Sequence, residues 1–187
     1  MDTKALNNHL RDMWQQIMNH PPRQVPFISS DINKLNYREN ENFKVSLHGK
    51  YQEVAQHRHD YFEMMYVYNG SVTHVIDGNE VVLNKGDYCI LDMQTVHAIK
   101  KTGSEDEAVN FVMDRSFFSP EFLSGISSNK LFSSFYANAL HKSSFGNYLV
   151  IATEDDKKVR DCSVKIMCEY FDPDSYSQEA INHLLVL

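Results

Sequence analysis

Two histidines one residue apart, His57 and His59, and a glutamate four further on, Glu63, stand in the stretch QHRHDYFEMMYVYNG at 56–70. On an extended strand, residues at even offsets share a face, so all three side chains fall on the same side unless a bulge intervenes. Two imidazoles and a carboxylate suit a mid-series divalent ion such as Zn, Ni, Fe or Mn. A fourth ligand must come from another strand, and His97 is the candidate, because a chain folding back after Gly86-Asp87 can bring it near. The expected metal set is therefore His57, His59, Glu63 and His97. Without a metal, the same groups form a hydrogen-bonded polar entrance that takes a polar ligand such as a sugar or a carboxylate. His74, on a neighbouring strand, is expected to face solvent, with reach into the cluster as the alternative. Glu53 and Gln56 are weaker candidates at the edge of the pocket.

Tyr61, Met65 and Phe111 are expected to line a ligand pocket with these groups. Tyr88, Cys89, Met93 and Met113 are further wall candidates, and for each of the seven taken singly ordinary core is the favoured reading. Tyr88 and Cys89 are adjacent, so strand parity cannot point both inward. The central strand separates into one face carrying His59, Tyr61, Glu63, Met65 and Val67 and another carrying Phe62, Met64, Tyr66 and Tyr68. Neither face suits solvent. One is expected to line an interior, and the other to be covered by a helix or a partner subunit. No local spacing places a base near Cys89, which reads as a buried thiol and not a nucleophile.

The elements that must position these groups follow from periodicity. Leu6, Leu10, Met13, Trp14 and Ile17 predict a helix over 3–19, stopped by Pro21 and Pro22. From Phe43 the period becomes two. FKVSLHG, YFEMMYVY, SVTHVI, EVVL, YCIL, VHAIK and EAVNFVM are short strands, with Asn69-Gly70 read as a tight hairpin turn and Asp77-Gly78-Asn79 as another turn. The loops leave no room for βαβ crossovers. The expected fold class is therefore mainly β: a small antiparallel barrel or sandwich with an N-terminal helix and a C-terminal helical layer. After residue 115, SFFSPEFLSGI reads as a short helix or turn, NKLFSSFYANALHK as a helix, and NYLVIA as a brief strand or an apolar link. DDKKVRDCSVKIMCEYF is a helix capped by Asp155 or Asp156, with a stripe of Val159, Cys162, Ile166 and Tyr170. The last helix, with a face of Ala180, Ile181, Leu184 and Leu185, has no stop signal, so more chain is expected downstream.

Composition bounds the function. The chain has 187 residues, is 42% hydrophobic and 12% aromatic, and so suits one domain or one with a sizeable appendage. A net charge of −7 with no basic arm disfavours nucleic acid or an anionic membrane as a direct partner. Cys89, Cys162 and Cys168 form no CxxC pair, which argues for a reducing compartment. The absence of a signal-peptide pattern or a long apolar run makes a cytoplasmic location the expectation.

The polar cluster resembles the first cupin motif. In HRHDYFEMMYVYNG, His57, His59, Glu63 and Gly70 stand at that motif's intervals, with Tyr51 in place of its leading glycine. In GDYCILDMQTVHAIKK, Gly86 and His97 match the second motif, while Asp92, Gln94 and Lys101 replace its proline, second glycine and asparagine. This mixture resembles the N-terminal sensing domain of AraC-type transcriptional regulators, over residues 40–187 and most specifically over 56–97. The resemblance implies a cupin double-stranded β-helix, that is, a jelly-roll barrel. It implies a division into an N-terminal arm at 1–42, a barrel at 43–115 and a helical dimerisation and linker region at 116–187, followed by a DNA-binding domain. A small-molecule effector in the barrel, a homodimer formed through the helices, and DNA contact only through that further domain are its implied partners. The alternative is a metal-dependent cupin enzyme, an oxygenase, isomerase or decarboxylase, for which no catalytic residue beyond the metal set stands out.

Overall fold

The computed structural model describes residues 1–19, 28–29, 41–141 and 147–186. The sequence readings on Pro21 and Pro22 lie outside them. Helix α1 spans Thr3–Asn19. Ten strands among the described residues include β1 (Ile28–Ser29), β2 (Phe43–His48), β3 (Val54–His59), β4 (Phe62–Asn69), β5 (Ser71–Ile76), β6 (Asn79–Asn84), β7 (Tyr88–Leu91), β8 (His97–Ile99) and β9 (Glu107–Met113). A 3-10 turn at Arg115–Phe117, α2 (Pro120–Ile126), α3 (Lys130–Leu140), the tenth strand β10 (Tyr148–Ile151), α4 (Lys157–Phe171) and α5 (Ser177–Leu184) follow.

The expectation of a mainly β, closed jelly-roll barrel is corrected. The strands form two open five-stranded sheets, in orders β1-β3-β8-β5-β6 and β10-β7-β4-β9-β2, and neither closes on itself. With five α-helices among the described residues, the architecture is mixed α/β. Among the described residues, all pairings are antiparallel except β1 with β3. The reason lies in the turns. Asn69-Gly70 was expected to make a hairpin, but β4 pairs with β7 and β9 while β5 pairs with β6 and β8. The chain therefore changes sheets there, and again between β6 and β7. Gly70 has φ +68°, and a Cβ at this position would lie 2.3 Å from Asp106 Oδ1. That carboxylate accepts from the Ser71 N–H at 3.0 Å, pinning the corner. The true hairpin is β5–β6, where Ile76 faces Asn79 across Asp77-Gly78. Both turn residues have positive φ, 48° and 81°, as the primed two-residue turns require.

Three layers result. The first sheet, here called the outer sheet, has solvent on its far side, where Val82 is 56% exposed. Between the sheets lies a small core of Met65, Val67, Val72, Ile76, Cys89 and Leu91 with their neighbours. The other face of the second, central sheet carries Phe43, Phe62, Tyr66, Tyr88, Phe111 and Met113, and the helices bury it. Leu6, Leu10 and Trp14 of α1 join this larger core, as do Phe117, Phe118, Phe122, Phe135 and Tyr136. The strand parity read from the sequence holds: both faces of β4 are covered, one by a sheet and one by helices.

Local signals set the helices. Ser119 caps α2 through its Oγ to the Phe122 N–H, with Pro120 in the first position, where no N–H is needed. Asn129 caps α3 and Asp156 caps α4. NYLVIA forms β10, in register with β7. Among the described residues, no helix is long and apolar enough to cross a membrane.

Candidate metal centre

Strands β3 and β8 of the outer sheet bring the three histidines together. His57 and His97 are directly opposite in the β3–β8 pair, with ring centroids 4.2 Å apart. The register slips between Val54 and His57, but His57 and His59 still alternate inward around the exposed Arg58. The His59 and His97 rings are 5.1 Å apart. Candidate ligand atoms of His57, His59 and His97 all lie within 4.8 Å of one another, and all three residues are buried.

Each ring is held in the same way. Nδ1 of His57 lies 3.0 Å from the Ala55 carbonyl, Nδ1 of His59 lies 2.8 Å from the Tyr61 carbonyl, and Nδ1 of His97 lies 3.1 Å from the Thr95 carbonyl. A carbonyl can only accept, so each Nδ1 carries the proton and each Nε2 is left as a bare lone pair. Nε2 of His59 and of His97 is buried without any hydrogen-bond partner. Buried polar atoms are rarely left unpaired, and outer-sphere carbonyls on Nδ1 are how proteins orient metal-ligating imidazoles. The three-histidine cluster therefore fits a divalent ion. Burial pushes the pKa of His57 down, that of His97 down to about 4, and that of His59 well below the ordinary value, with the neighbouring imidazoles adding to the last two. The rings are thus in the neutral form a metal needs.

Glu63 approaches from the facing central sheet. Its Oε2 lies 3.6 Å from His59 Nε2, and burial raises its carboxyl to about 7. It stands beside His59 and outside the group of three whose ligand atoms converge. Tyr61 stacks on His59 at 4.0 Å and 7°. Met65 faces the inter-sheet space, where its sulfur lies 3.0 Å from His74 Nε2. Phe111 is on the opposite face, stacked with Phe43 beneath the helices and away from the histidines. Tyr88 and Met113 share that face, whereas Cys89 is inward, its thiol pushed up to about 12 by burial.

His74 is not solvated as expected: it is fully buried, its Nδ1 has no partner, and burial lowers its pKa to about 3. Val72 and Ile76, two residues to either side on the same apolar face, were the signal for this. His48 was missed as well. It sits at the end of β2 with an unpartnered Nε2, and its pKa is lowered by burial to about 4. Asp92, standing where the cupin motif has proline, supplies the geometry of the loop before His97. Its Oδ1 accepts from the Gln94 and Thr95 N–H groups at 3.0 Å and from Thr95 Oγ1 at 2.7 Å, and its Oδ2 accepts from the Asn147 N–H at 2.8 Å. Thr95, fixed in this way, presents the carbonyl that orients His97.

Residues 43–113 match the family model described as Cupin domain. The fold likeness extends further in solved structures that cover more of the chain. Apo ToxT K231A from Vibrio cholerae superimposes with a TM-score of 0.52 at 14% identity, over 80% of this chain and 55% of that one. The chain thus spans about half the length of that structure. A predicted oxalate decarboxylase from Thermotoga maritima gives a TM-score of 0.33 at 27% identity over 38% of this chain and 64% of that one. The EutQ protein of Clostridium difficile gives 0.33 at 15% identity over 38% and 55%. No curated protein matches the chain.

Proposed function

We propose that the chain is the effector-sensing part of an AraC-type transcriptional regulator, with a divalent ion, Zn, Ni, Fe or Mn, held by His57, His59 and His97 and completed by Glu63. The observation that carries the metal is the convergence of three buried imidazoles, each locked with Nε2 as the free donor. Bound there, the ion supplies a Lewis-acid anchor for a carboxylate or hydroxyl of a small polar effector. Tyr61 holds the His59 ring by stacking, and Met65 closes the space towards His74. The regulator reading is supported by the sequence resemblance over 56–97 and by a fold likeness that extends beyond the cupin segment into the helices. Under it, 1–42 is an arm, 43–115 the sensing domain and 116–187 a helical dimerisation region leading to a DNA-binding domain.

Metal analysis of the purified chain, followed by Zn(II) titration after chelation, tests the first step. One equivalent bound by the native chain and none by His57→Ala or His97→Ala is expected. An apo chain that takes up no ion overturns the metal. The regulator step is tested on the full-length protein by DNA binding with and without candidate sugars and carboxylates, where effector-insensitive binding counts against sensing. A second reading, a metal-dependent enzyme, is favoured by one observation: Glu63, raised to about 7 beside the cluster, is poised as a general base or acid. Turnover of small carboxylates by the metal-loaded chain, lost in Glu63→Gln, would establish it.

A further inference from the structure

A cavity of about 520 Å³ lies on the helix side of the central sheet, separated from the histidines by the sheet itself. Its floor is Met64, Tyr88, Ile90 and Met113. Its walls come from α2, α3 and α4, and its far end from Leu184, Leu185 and Val186. Native cores leave few voids larger than a water molecule, and small-molecule sites span about 300–1,000 Å³ with mostly apolar walls. This one has that size and that lining.

Its polar groups are few, and two of them are already engaged. Asn129 caps α3, and Thr153 Oγ1 donates to the Gly86 carbonyl at 2.8 Å. Lys158 is the one charged residue in the lining. It is exposed, like Gly125, Ser128 and Asn129, which together mark the side open to water. Its neighbours on α4 are committed: Lys157 pairs with Asp161 and Arg160 with Asp155. The Lys158 ammonium has no such partner among the described residues, although the chain as a whole carries a net charge of −7. An apolar chamber with one uncommitted cation at its mouth selects a molecule with a long apolar part and one anionic end.

We propose that this cavity binds a single-chain amphiphile with an anionic headgroup, its tail between the central sheet and the helices and its head at Lys158. The site is independent of the metal centre and of the regulator reading. Cys162 of α4 lines the cavity and Cys168 of the same helix does not; both are free thiols, so the pair reports occupancy without any ligand label.

Calorimetry with octanoate, decanoate and dodecanoate below their micellar concentrations, alongside the matching alcohols and alkyl phosphates, provides the test. One-to-one binding is expected, tightening about fourfold per methylene up to a limiting length set by the cavity. Alcohols should bind about two- to fivefold more weakly than anions, the range of an exposed ion pair. The tighter of the two anion series assigns the headgroup. Lys158→Met, an exposed position that leaves the core intact, should remove the preference for anions while alcohols bind as before. At saturation, maleimide labelling of Cys162 should slow while that of Cys168 does not. Absence of saturable binding overturns the proposal, as does affinity that climbs with length without limit or unchanged labelling of Cys162. Protection of Cys162 by rising protein concentration alone, with no amphiphile, would overturn it in favour of a face covered by a second copy of the chain.

Discussion

Strand β4 has two faces that solve different problems. Towards the helices, Phe62 packs on Phe118, Tyr136 and Phe135 with centroids 4.5, 5.3 and 6.3 Å away, inside a core of aromatic rings. Towards the other sheet, Glu63 and Met65 look into a space with five buried histidines, where several polar atoms have no partner. The helix side holds the molecule together. The inter-sheet side carries polar groups that cost stability until something binds them. One strand serves both because its side chains alternate.

The sharpest way to break this comparison is to truncate each face in turn. Phe62→Ala should cost about 3–5 kcal/mol in urea denaturation. His97→Ala, measured with chelator present, should change stability by less than ~1 kcal/mol, since it removes an orphaned buried nitrogen, yet it should weaken metal binding by more than ~100-fold. Equal losses of stability at the two positions would erase the distinction. Acid comes next. His48 and His74 are buried neutral, with pKa values lowered to about 4 and about 3. The unfolded chain therefore takes up protons first. Their contribution is intact above the unfolded value near 6.5 and is lost as pH falls from there towards 4. Glu63, raised to about 7, works the other way and loses stability as pH rises from about 4.5 to 7. The histidines outnumber it, so apo stability should fall by on the order of 2–4 kcal/mol between pH 7 and 4, with less loss in His74→Phe. A flat profile would mean the imidazoles are hydrated.

Asp92→Ala should cost about 2 kcal/mol and lower metal affinity by about 10–100-fold, because the carbonyl that orients His97 is released. Metal affinity that survives intact would remove Asp92 from the centre. The smallest effect belongs to the solvent-side hairpin. Gly78→Ala places a Cβ in open space at φ +81°, so only backbone strain opposes it. A loss of about 1 kcal/mol is expected in thermal denaturation, without effect on metal binding.

Much of this was legible in the chain. Alternation identified most strands and both faces of β4, and the spacing of His57, His59 and His97 foretold their convergence. Strand order was not legible, because Asn69-Gly70 looks the same whether it joins paired neighbours or turns a corner between sheets. Short loops left barrel and sandwich both open, and closure was implied by the family resemblance; loop length does not reveal which edges stay open. Phe111 was a pocket-wall candidate that also read as core, and it lies in the core beneath the helices. Its register against Met64, a residue on the helix-covered face, is a long-range fact no local pattern carries. His74 shows the opposite failure. Its polarity outweighed the apolar residues flanking it at even offsets, which had the answer.

Glu63 and the histidines belong to different sheets. An ion shared between them would act as a rivet through the sandwich, adding to the apolar contacts, the Met65–His74 contact and the connecting turns between the two layers. The three thiols are all free and can make no such fastening. Slow amide exchange along β3 and β8 would then track the metal content of the surroundings, and the looseness of this seam would become a readable quantity in its own right.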